Sequence, residues 1–461
     1  MAEIGVGESL VLTREATEAR ERFLSLPRTA ALLVFALFAL TVDPAKVEDD
    51  GVIYFYFMRR LFGADLHAAA YQFGSVFWDA PFYLASQLVA TRGELDHVRS
   101  AVFSVDIASN VAVVLTLYLG WRILRELDLP RGPAVLLLAL FGTPLFFYGA
   151  VEPSYKHVVD TLYATGAVFF VLASLRMHAR RRDFAAAGLC FGLLLATRYA
   201  NVALLVGVLV TLLVARRVRA ASWILGATVV SAAVIFVIPV IRHIPYEAPV
   251  TPSQVSAASY PDFGDGPVAL AAPSHRVAMG SAPIIDPVLR RTSLDPLAPV
   301  YMLFTLHRGI FVWTPLTAFA TLGYILLLRR DGRNRIFLAA VAASSLGLLL
   351  IHALWGAQWD GAGSFSQRFL TALFPFFLIG TAEFVRRTRV LGIALLTVCA
   401  AWSLWIGLVQ WNGYYNESAR DSVVQIVQNY TGTNHHGPGL WVHQIRVRVT
   451  DRWQSYWRMV A

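Results

Sequence analysis

Long runs of apolar residues recur along the whole chain and alternate with short clusters of arginine. Runs of about 20 apolar residues match the thickness of a lipid bilayer, and arginine clusters between them are typical of cytoplasmic loops. Hydrophobic residues make up 57% of the 461 residues and charged residues only 15%, which excludes an ordinary soluble fold. We therefore expect an all-α polytopic membrane protein.

The arginine clusters also set the expected topology. Placing every cluster in the cytoplasm requires an even number of crossings between neighbouring clusters. The apolar runs satisfy this requirement with about eleven transmembrane helices, at 28–43, 101–121, 133–150, 158–175, 184–198, 200–215, 221–241, 309–328, 336–354, 369–385 and 390–411. The arrangement predicts a cytoplasmic N-terminal segment (1–27), a transmembrane domain (28–411) and an extracytoplasmic tail (412–461).

Two large loops are expected on the outer side, at 44–100 and 243–308. The first contains GVIYFYFMRRLF and GSVFWDAPFYLASQLVA, aromatic stretches that predict helices lying in the lipid interface. The second is rich in proline, so we expect it to be mostly irregular. Inner loops are short and basic, which indicates that function resides on the outer face.

An acidic triplet, Glu48, Asp49 and Asp50, follows the first expected span and precedes the first interfacial helix. Adjacent carboxylates repel one another, so at least one should titrate abnormally or meet a cation. Carboxylates at the bilayer edge would suit chemistry on a lipid-linked substrate. A solvated loop of charges is the alternative.

The short outer segment EPSYKHVVD places Glu152, Tyr155, Lys156 and His157 at the mouth of a helix, with Asp160 one turn further on. His157 and Asp160 are three residues apart and share a helix face. The functional hypothesis is a phosphate and sugar contact, with Lys156 supplying charge and His157 hydrogen bonds. The alternative is a Lys–Glu pair that closes the loop.

The segment WGAQWDGAGSFSQRFL combines Trp355, Trp359 and Asp360 with Gln367 and Arg368 at the start of a span. Tryptophan faces stack on sugar rings, and arginine binds phosphate through two parallel hydrogen bonds. An aromatic belt with one arginine that reaches the interface is the alternative.

Two further arginines stand next to or within apolar runs. Arg308 heads a span, where interfacial anchoring is as good an interpretation as phosphate binding. Arg198 lies in an apolar hairpin, where exposure to lipid would cost about 2.5–3.5 kcal/mol on insertion scales. We therefore expect Arg198 to have a partner carboxylate or a bound phosphate.

Other classes of site are not indicated. Cys190 and Cys399 lie inside apolar runs and provide neither a disulfide framework nor a metal site. The net charge of +9 follows from the basic inner loops, so no nucleic-acid partner is expected. Phosphate-binding glycine loops, HExxH and GxSxG motifs are absent from the sequence.

With these motifs in view, the chain resembles the glycosyltransferase C superfamily, polytopic enzymes that use polyprenyl-phosphate sugars and include lipid A aminoarabinose transferase and the protein O-mannosyltransferases. The resemblance rests on the acidic first loop, EPSYKH, RYAN, HRGIFVWTPL and GSFSQRF, and it covers most of the chain. It implies a catalytic carboxylate in the first outer loop, which maps onto Asp49 or Asp50, while Glu48 stays an alternative.

The resemblance further implies inversion at the anomeric carbon, with polyprenyl phosphate as the leaving group. Lys156, Arg308 and Arg368 are the expected stabilisers of its charge. The partners would be a polyprenyl-phosphate sugar, a lipid, glycan or protein acceptor, and the lipids of a bacterial cytoplasmic membrane. No cofactor is firmly implied, although adjacent carboxylates would suit a divalent cation.

A transporter or flippase of a lipid-linked or anionic substrate is the main alternative, because it too would hold charges inside spans. The sequence shows no interrupted spans at matching positions of two halves, which disfavours it. A scaffold without catalysis leaves the outer carboxylates and cations unexplained.

Overall fold

The computed structural model describes residues 50–63, 73–89, 102–151, 153, 156–176, 179–244, 295–352 and 365–409. The expected first span, the two termini and most of the loop 243–308 lie outside these residues. Every regular element in the described ranges is helical. The α-helices are α1 Asp50–Leu61, α2 Val76–Val89, α3 Ala108–Glu126, α4 Pro133–Phe141, α5 His157–Ser174, α6 Arg181–Thr197, α7 Val202–Val214, α8 Val218–Ile241, α9 Ala298–Phe304, α10 Ile310–Trp313, α11 Leu316–Arg330, α12 Arg335–Ile351 and α13 Phe374–Val409.

Short helices of other types link these elements. Three 3-10 helices span Phe73–Ser75, Tyr199–Asn201 and Arg368–Leu373, and two π-helices span Val102–Ile107 and Phe147–Val151. Four helical stretches of the described chain are long and apolar enough to cross a membrane: Ser104–Glu126, His157–Ser174, Val218–Ile241 and Arg368–Gly407. The all-helical, polytopic membrane class is thus confirmed, whereas the number of eleven spans stays a prediction.

Two of the expected spans are interrupted by proline. The run 133–150 forms α4 only as far as Phe141, the chain turns at 142–144, and helical structure resumes at 145 just before the π-helix. The run 309–328 is divided at Pro315 into α10 and α11. Proline lacks the backbone N–H and its ring clashes with the preceding turn of a helix, so it interrupts helices. A span predicted from the apolar run alone is therefore longer than the helix that forms.

The last helix, α13, is bent at Arg389, whose φ of 51° and ψ of −125° are not helical. This break lies between the two spans expected at 369–385 and 390–411. Just before it, the buried carboxylate of Glu383 forms ion pairs with Arg386 at 2.6 Å and Arg387 at 2.8 Å.

The described residues of the segment 44–100 include the two helices α1 and α2, of 12 and 14 residues. At 1.5 Å per residue they rise only about 18–21 Å, too little to cross a hydrocarbon core of about 30 Å. Phe57 of α1 lies 5.2 Å from Phe73, which in turn lies 5.6 Å from Phe236 of α8. Aromatic packing therefore holds this segment against the bundle.

Glycine allows the backbones of neighbouring elements to approach closely at several positions, of which Gly74 and Gly380 are two. A Cβ on Gly74 would overlap the backbone and side chain of Thr197, where the 73–75 turn meets the end of α6. A Cβ on Gly380 would overlap the carbonyl of Ala320, where α13 crosses α11. Small residues at helix crossings are how membrane helices reach close packing.

Candidate functional site

Three chain segments bring the predicted phosphate-binding residues together. Lys156 and His157 stand at the start of α5, Arg198 joins α6 to the 3-10 helix 199–201, and Arg368 begins the 3-10 helix 368–373. The His157 ring lies close enough to the positive charges of Lys156, Arg198 and Arg368 to interact electrostatically with each of them. We refer to these three side chains as the cation cluster.

Arg198 has a carboxylate partner. Its Nη1 lies 3.8 Å from Oδ2 of Asp160, and both side chains are buried. Asn201 Nδ2 donates to Oδ1 of the same carboxylate at 2.5 Å and to the carbonyl of Leu194 at 3.1 Å. The Asp160 carboxylate thereby fixes the hairpin between α6 and α7 against α5.

Phe369 connects two members of the cation cluster. The guanidinium carbons of Arg198 and Arg368 lie 4.6 Å and 5.4 Å from the centre of its ring. The His352 ring stacks on it at 5.1 Å with an interplanar angle of 20°, and Arg198 Nη1 donates to its carbonyl at 3.4 Å. The aromatic face stabilises guanidinium groups that would otherwise repel each other.

Two members of the cation cluster are buried. Lys156 is 6% exposed and Arg198 is 3% exposed, so water screens them poorly. Arg368 is half-buried, and the Arg198 guanidinium forms an ion pair with the Asp160 carboxylate. Cations that water screens poorly are suited to binding an anion.

Helix α1 reaches the cation cluster through Tyr54. Lys156 Nζ lies 5.3 Å from the centre of the Tyr54 ring, and Tyr54 is buried. Asp50 begins α1 and precedes Tyr54 by four residues, about one helical turn. Glu48 and Asp49 lie outside the described residues.

Arg308 joins the site by a different route. It is fully buried, and its guanidinium carbon lies 4.7 Å from the Trp313 ring. Trp313 packs edge-on against Phe365 at 5.7 Å, and its indole N–H donates to the carbonyl of Leu306 at 3.1 Å. Arg308 is therefore connected to the segment 365–368 through aromatic rings.

Gln367 is the one predicted sugar-contact residue within the described chain. Its side chain is fully buried, and neither amide atom has a hydrogen-bond partner among the described residues. The preceding Ser366 has a φ of 50°, a left-handed conformation unusual for serine. The other predicted sugar contacts lie outside the described residues: Glu152, Tyr155, Trp355, Trp359 and Asp360.

The structure adds residues that the sequence did not single out. Tyr54, Asn201, His352 and Phe369 contact the cation cluster or its carboxylate. Asp79 of α2 is buried, and this burial raises the pKa of its carboxyl well above the usual range. In the described chain, no group of three or more His, Cys, Asp or Glu side chains could hold a metal ion.

An apolar cavity of about 30 Å³ lies among the same helices. It begins at Ala164, one turn along α5 from Asp160, and also contacts α6, α7, α12 and α13. Its walls include Ala167, Leu194, Leu204, Val341 and Leu373. A volume of this order admits about two water-sized groups and is far smaller than a small-molecule pocket.

Fold and site together define an all-helical integral membrane protein with a buried cation cluster. No protein-family model and no curated protein matches the sequence. Among solved structures, the chain is similar to ArnT from Cupriavidus metallidurans bound to undecaprenyl phosphate, with 15% identity, a TM-score of 0.49 and coverage of 84% of this chain and 70% of that one. It is also similar to the Archaeoglobus fulgidus oligosaccharyltransferase in the apo form, with 13% identity, a TM-score of 0.44 and coverage of 90% and 60%. Both structures belong to the glycosyltransferase C superfamily.

Proposed function

We propose that the protein is a membrane glycosyltransferase that moves a sugar from a polyprenyl-phosphate donor to an acceptor on the outer face of the membrane. The observation that carries this proposal is the contact between Lys156 and Tyr54. It brings α1, which begins at Asp50, to a buried cation cluster. A carboxylate and a set of cations are the two groups that sugar transfer from a phosphate requires.

In the proposed reaction, Asp50 or Asp49 takes the proton of the acceptor hydroxyl as its oxygen attacks the anomeric carbon. The bond between that carbon and the phosphate oxygen breaks, and polyprenyl phosphate leaves with inversion at the sugar. Lys156 and Arg368 stabilise the charge that develops on the phosphate. The Arg198 guanidinium is paired with the Asp160 carboxylate and donates to the Phe369 carbonyl. Its proposed role is therefore mainly to position Phe369 and the neighbouring Arg368.

The apolar cavity supports the lipid nature of the donor. It lies one helical turn from the Asp160–Arg198 pair, and its walls are almost entirely apolar. The first isoprene units of a polyprenyl chain would lie along these apolar walls while the phosphate meets the cations, and the cavity would have to widen to admit them. The acceptor would be a lipid, a glycan or a protein at the same membrane face.

The topology proposed from the arginine clusters complements this assignment. A bacterial cytoplasmic membrane, with residues 28–411 as the catalytic domain, would place α1, Lys156 and Arg368 on the outer side. The short basic loops would lie in the cytoplasm. The tail 412–461 would be extracytoplasmic.

Purified protein in nanodiscs provides the direct test. It would be incubated with a panel of radiolabelled polyprenyl-phosphate hexoses and pentoses, together with envelope lipids and glycans from a deletion strain as acceptors. Release of polyprenyl phosphate coupled to labelling of an acceptor is expected. Donor translocation between leaflets without release of polyprenyl phosphate would support a flippase instead.

A further inference from the structure

Gln367 is a buried amide whose two polar atoms lack hydrogen-bond partners in the described part of the chain. The residue has no exposed surface, and both Nε2 and Oε1 are buried without a partner. Burying an amide without a partner costs free energy of folding, because its hydrogen bonds to water are lost and no others replace them. A buried polar group of this kind needs a cause, and a ligand that supplies the missing hydrogen bonds is one.

The backbone around Gln367 is held from both sides. On the N-terminal side, Phe365 stacks on Phe147 at 4.6 Å, and its carbonyl accepts a hydrogen bond from the Tyr148 hydroxyl at 3.0 Å. On the C-terminal side, the Gln367 carbonyl accepts from the backbone N–H of Leu370 at 3.0 Å. The amide is therefore carried on a fixed piece of chain.

The backbone next to Gln367 is strained at Ser366. Ser366 is buried and has a φ of 50°, in the left-handed region that glycine adopts more readily. Backbone strain next to a buried polar group is a feature of binding sites, where surrounding contacts hold a residue in the orientation that the ligand needs. Here the aromatic contacts of Phe365 hold Ser366 and Gln367 in their orientation.

The chemistry of an amide indicates which part of a donor it would meet. A phosphate diester only accepts hydrogen bonds, and the neighbouring Arg368 is suited to it. An amide both donates and accepts, which matches a hydroxyl group, because a hydroxyl does the same. We propose that Gln367 recognises a hydroxyl of the donor sugar next to the phosphate, and so determines which sugar is transferred. This inference rests on the proposed function.

The test compares ligands that differ only in the sugar. Gln367→Met removes the amide at similar volume, and Gln87→Met on the exposed face of α2 is the matched control. Binding would be measured in nanodiscs for bare decaprenyl phosphate and for decaprenyl-phosphate glucose, mannose, galactose and arabinose. We expect Gln367→Met to bind the preferred sugar donor about 10-fold more weakly or worse, with bare decaprenyl phosphate unchanged, and Gln87→Met to match the parent.

A second readout distinguishes ligand recognition from a structural role. Because the amide has no hydrogen-bond partner among the described residues, Gln367→Met should leave the ligand-free melting temperature unchanged or raise it. A lowered melting temperature, or an equal loss for sugar donor and bare phosphate, would overturn the inference. Equal discrimination among sugars by parent and variant would also overturn it.

Failure of the proposed function has a separate signature. A parent protein that binds none of the decaprenyl ligands would remove both proposals. A parent that binds bare decaprenyl phosphate through Arg368, yet shows no dependence on Gln367, would leave the proposed function intact and remove only the inference about the sugar.

Discussion

Lys156 and Tyr54 are 102 positions apart in the sequence, yet the Lys156 ammonium group lies 5.3 Å from the centre of the Tyr54 ring. A cation over an aromatic face is stabilised without losing its charge. Lys156 can therefore be held in a buried position and still act on an anion. The same contact ties α1, with Asp50 at its start, to the residues that would hold the donor phosphate.

The first prediction concerns the base. Asp50→Asn and Asp49→Asn keep the shape of the side chain and remove its basicity, so at least one should lower turnover by about 100-fold or more. Asp128→Asn is the matched control, because Asp128 is exposed and its left-handed backbone suits asparagine equally well. Initial rates of sugar transfer and the melting temperature of each variant provide the measurement.

Full activity in both single variants and in the double variant would remove the first-loop carboxylates from the mechanism. Glu48→Gln would then be the next variant, since Glu48 belongs to the same triplet.

The second prediction ranks the cations. Arg368→Ala and Lys156→Ala should each weaken donor binding by about 1.5–3 kcal/mol, the usual worth of a charge-assisted hydrogen bond. Arg308→Ala should weaken it less, because Arg308 reaches the site through Trp313 and Phe365. Arg368→Lys keeps the charge and loses the planar fork, so its activity should also fall. Binding of a polyprenyl-phosphate sugar in nanodiscs measures all four.

If Arg368→Ala and Lys156→Ala both bound donor as tightly as the parent, the phosphate would have to bind elsewhere. Arg308 and Arg198 would then be the next residues to replace.

The third prediction concerns the buried pair of Arg198 and Asp160. Arg198→Met leaves the Asp160 carboxylate buried without its cation, which should cost about 3–5 kcal/mol of unfolding free energy. Adding Asp160→Asn removes the stranded charge, so the double variant should be more stable than Arg198→Met alone. Thermal unfolding in detergent measures this.

The exposed pair of Arg333 and Asp128, also 3.8 Å apart, provides the control. Because surface pairs contribute little, Arg333→Met should leave the melting temperature unchanged. A double variant less stable than either single variant would mean that Asp160 and Arg198 stabilise the protein independently of each other.

The apolar runs predicted much of the fold. The span expected at 158–175 is α5, His157–Ser174, because a long apolar stretch in lipid must satisfy its backbone internally. The same logic predicted a partner for Arg198, since a charge in an apolar hairpin needs one. The sequence left open whether the partner is a carboxylate or a phosphate, and the structure supplies Asp160.

Other features depend on contacts that local sequence does not encode. The approach of Lys156 to Tyr54 requires α1 and α5 to be docked, and no spacing rule relates residues so far apart. The burial of Gln367 depends on the aromatic packing of Phe365. Hydropathy also missed the breaks near Pro144 and Pro315, because proline scarcely changes the mean hydropathy of a run.

The fourth prediction concerns the apolar cavity. Ala167→Phe should fill part of it and weaken binding of a decaprenyl-phosphate sugar, while a short citronellyl-phosphate sugar should bind as it does to the parent. Val229→Phe, on the exposed face of α8, adds the same ring away from the cavity and should change neither. Equal binding of the long-chain donor by both variants would show that the polyprenyl chain lies elsewhere.

The fifth prediction concerns topology. Every short basic loop falls in the cytoplasm only if residues 44–100, 243–308 and 412–461 lie outside. Single cysteines at Ser256 and Ser418, both outside the described residues, should therefore label with an impermeant thiol reagent in intact cells that lack Cys190 and Cys399. A cysteine at Asp128, exposed between α3 and α4, should label only after lysis. The opposite pattern would reverse the orientation, and it would move the site formed by Lys156, Arg368 and α1 to the cytoplasmic face. Donors would then have to be loaded from the cytoplasm, so the orientation decides which pool of lipid-linked sugar the protein can use.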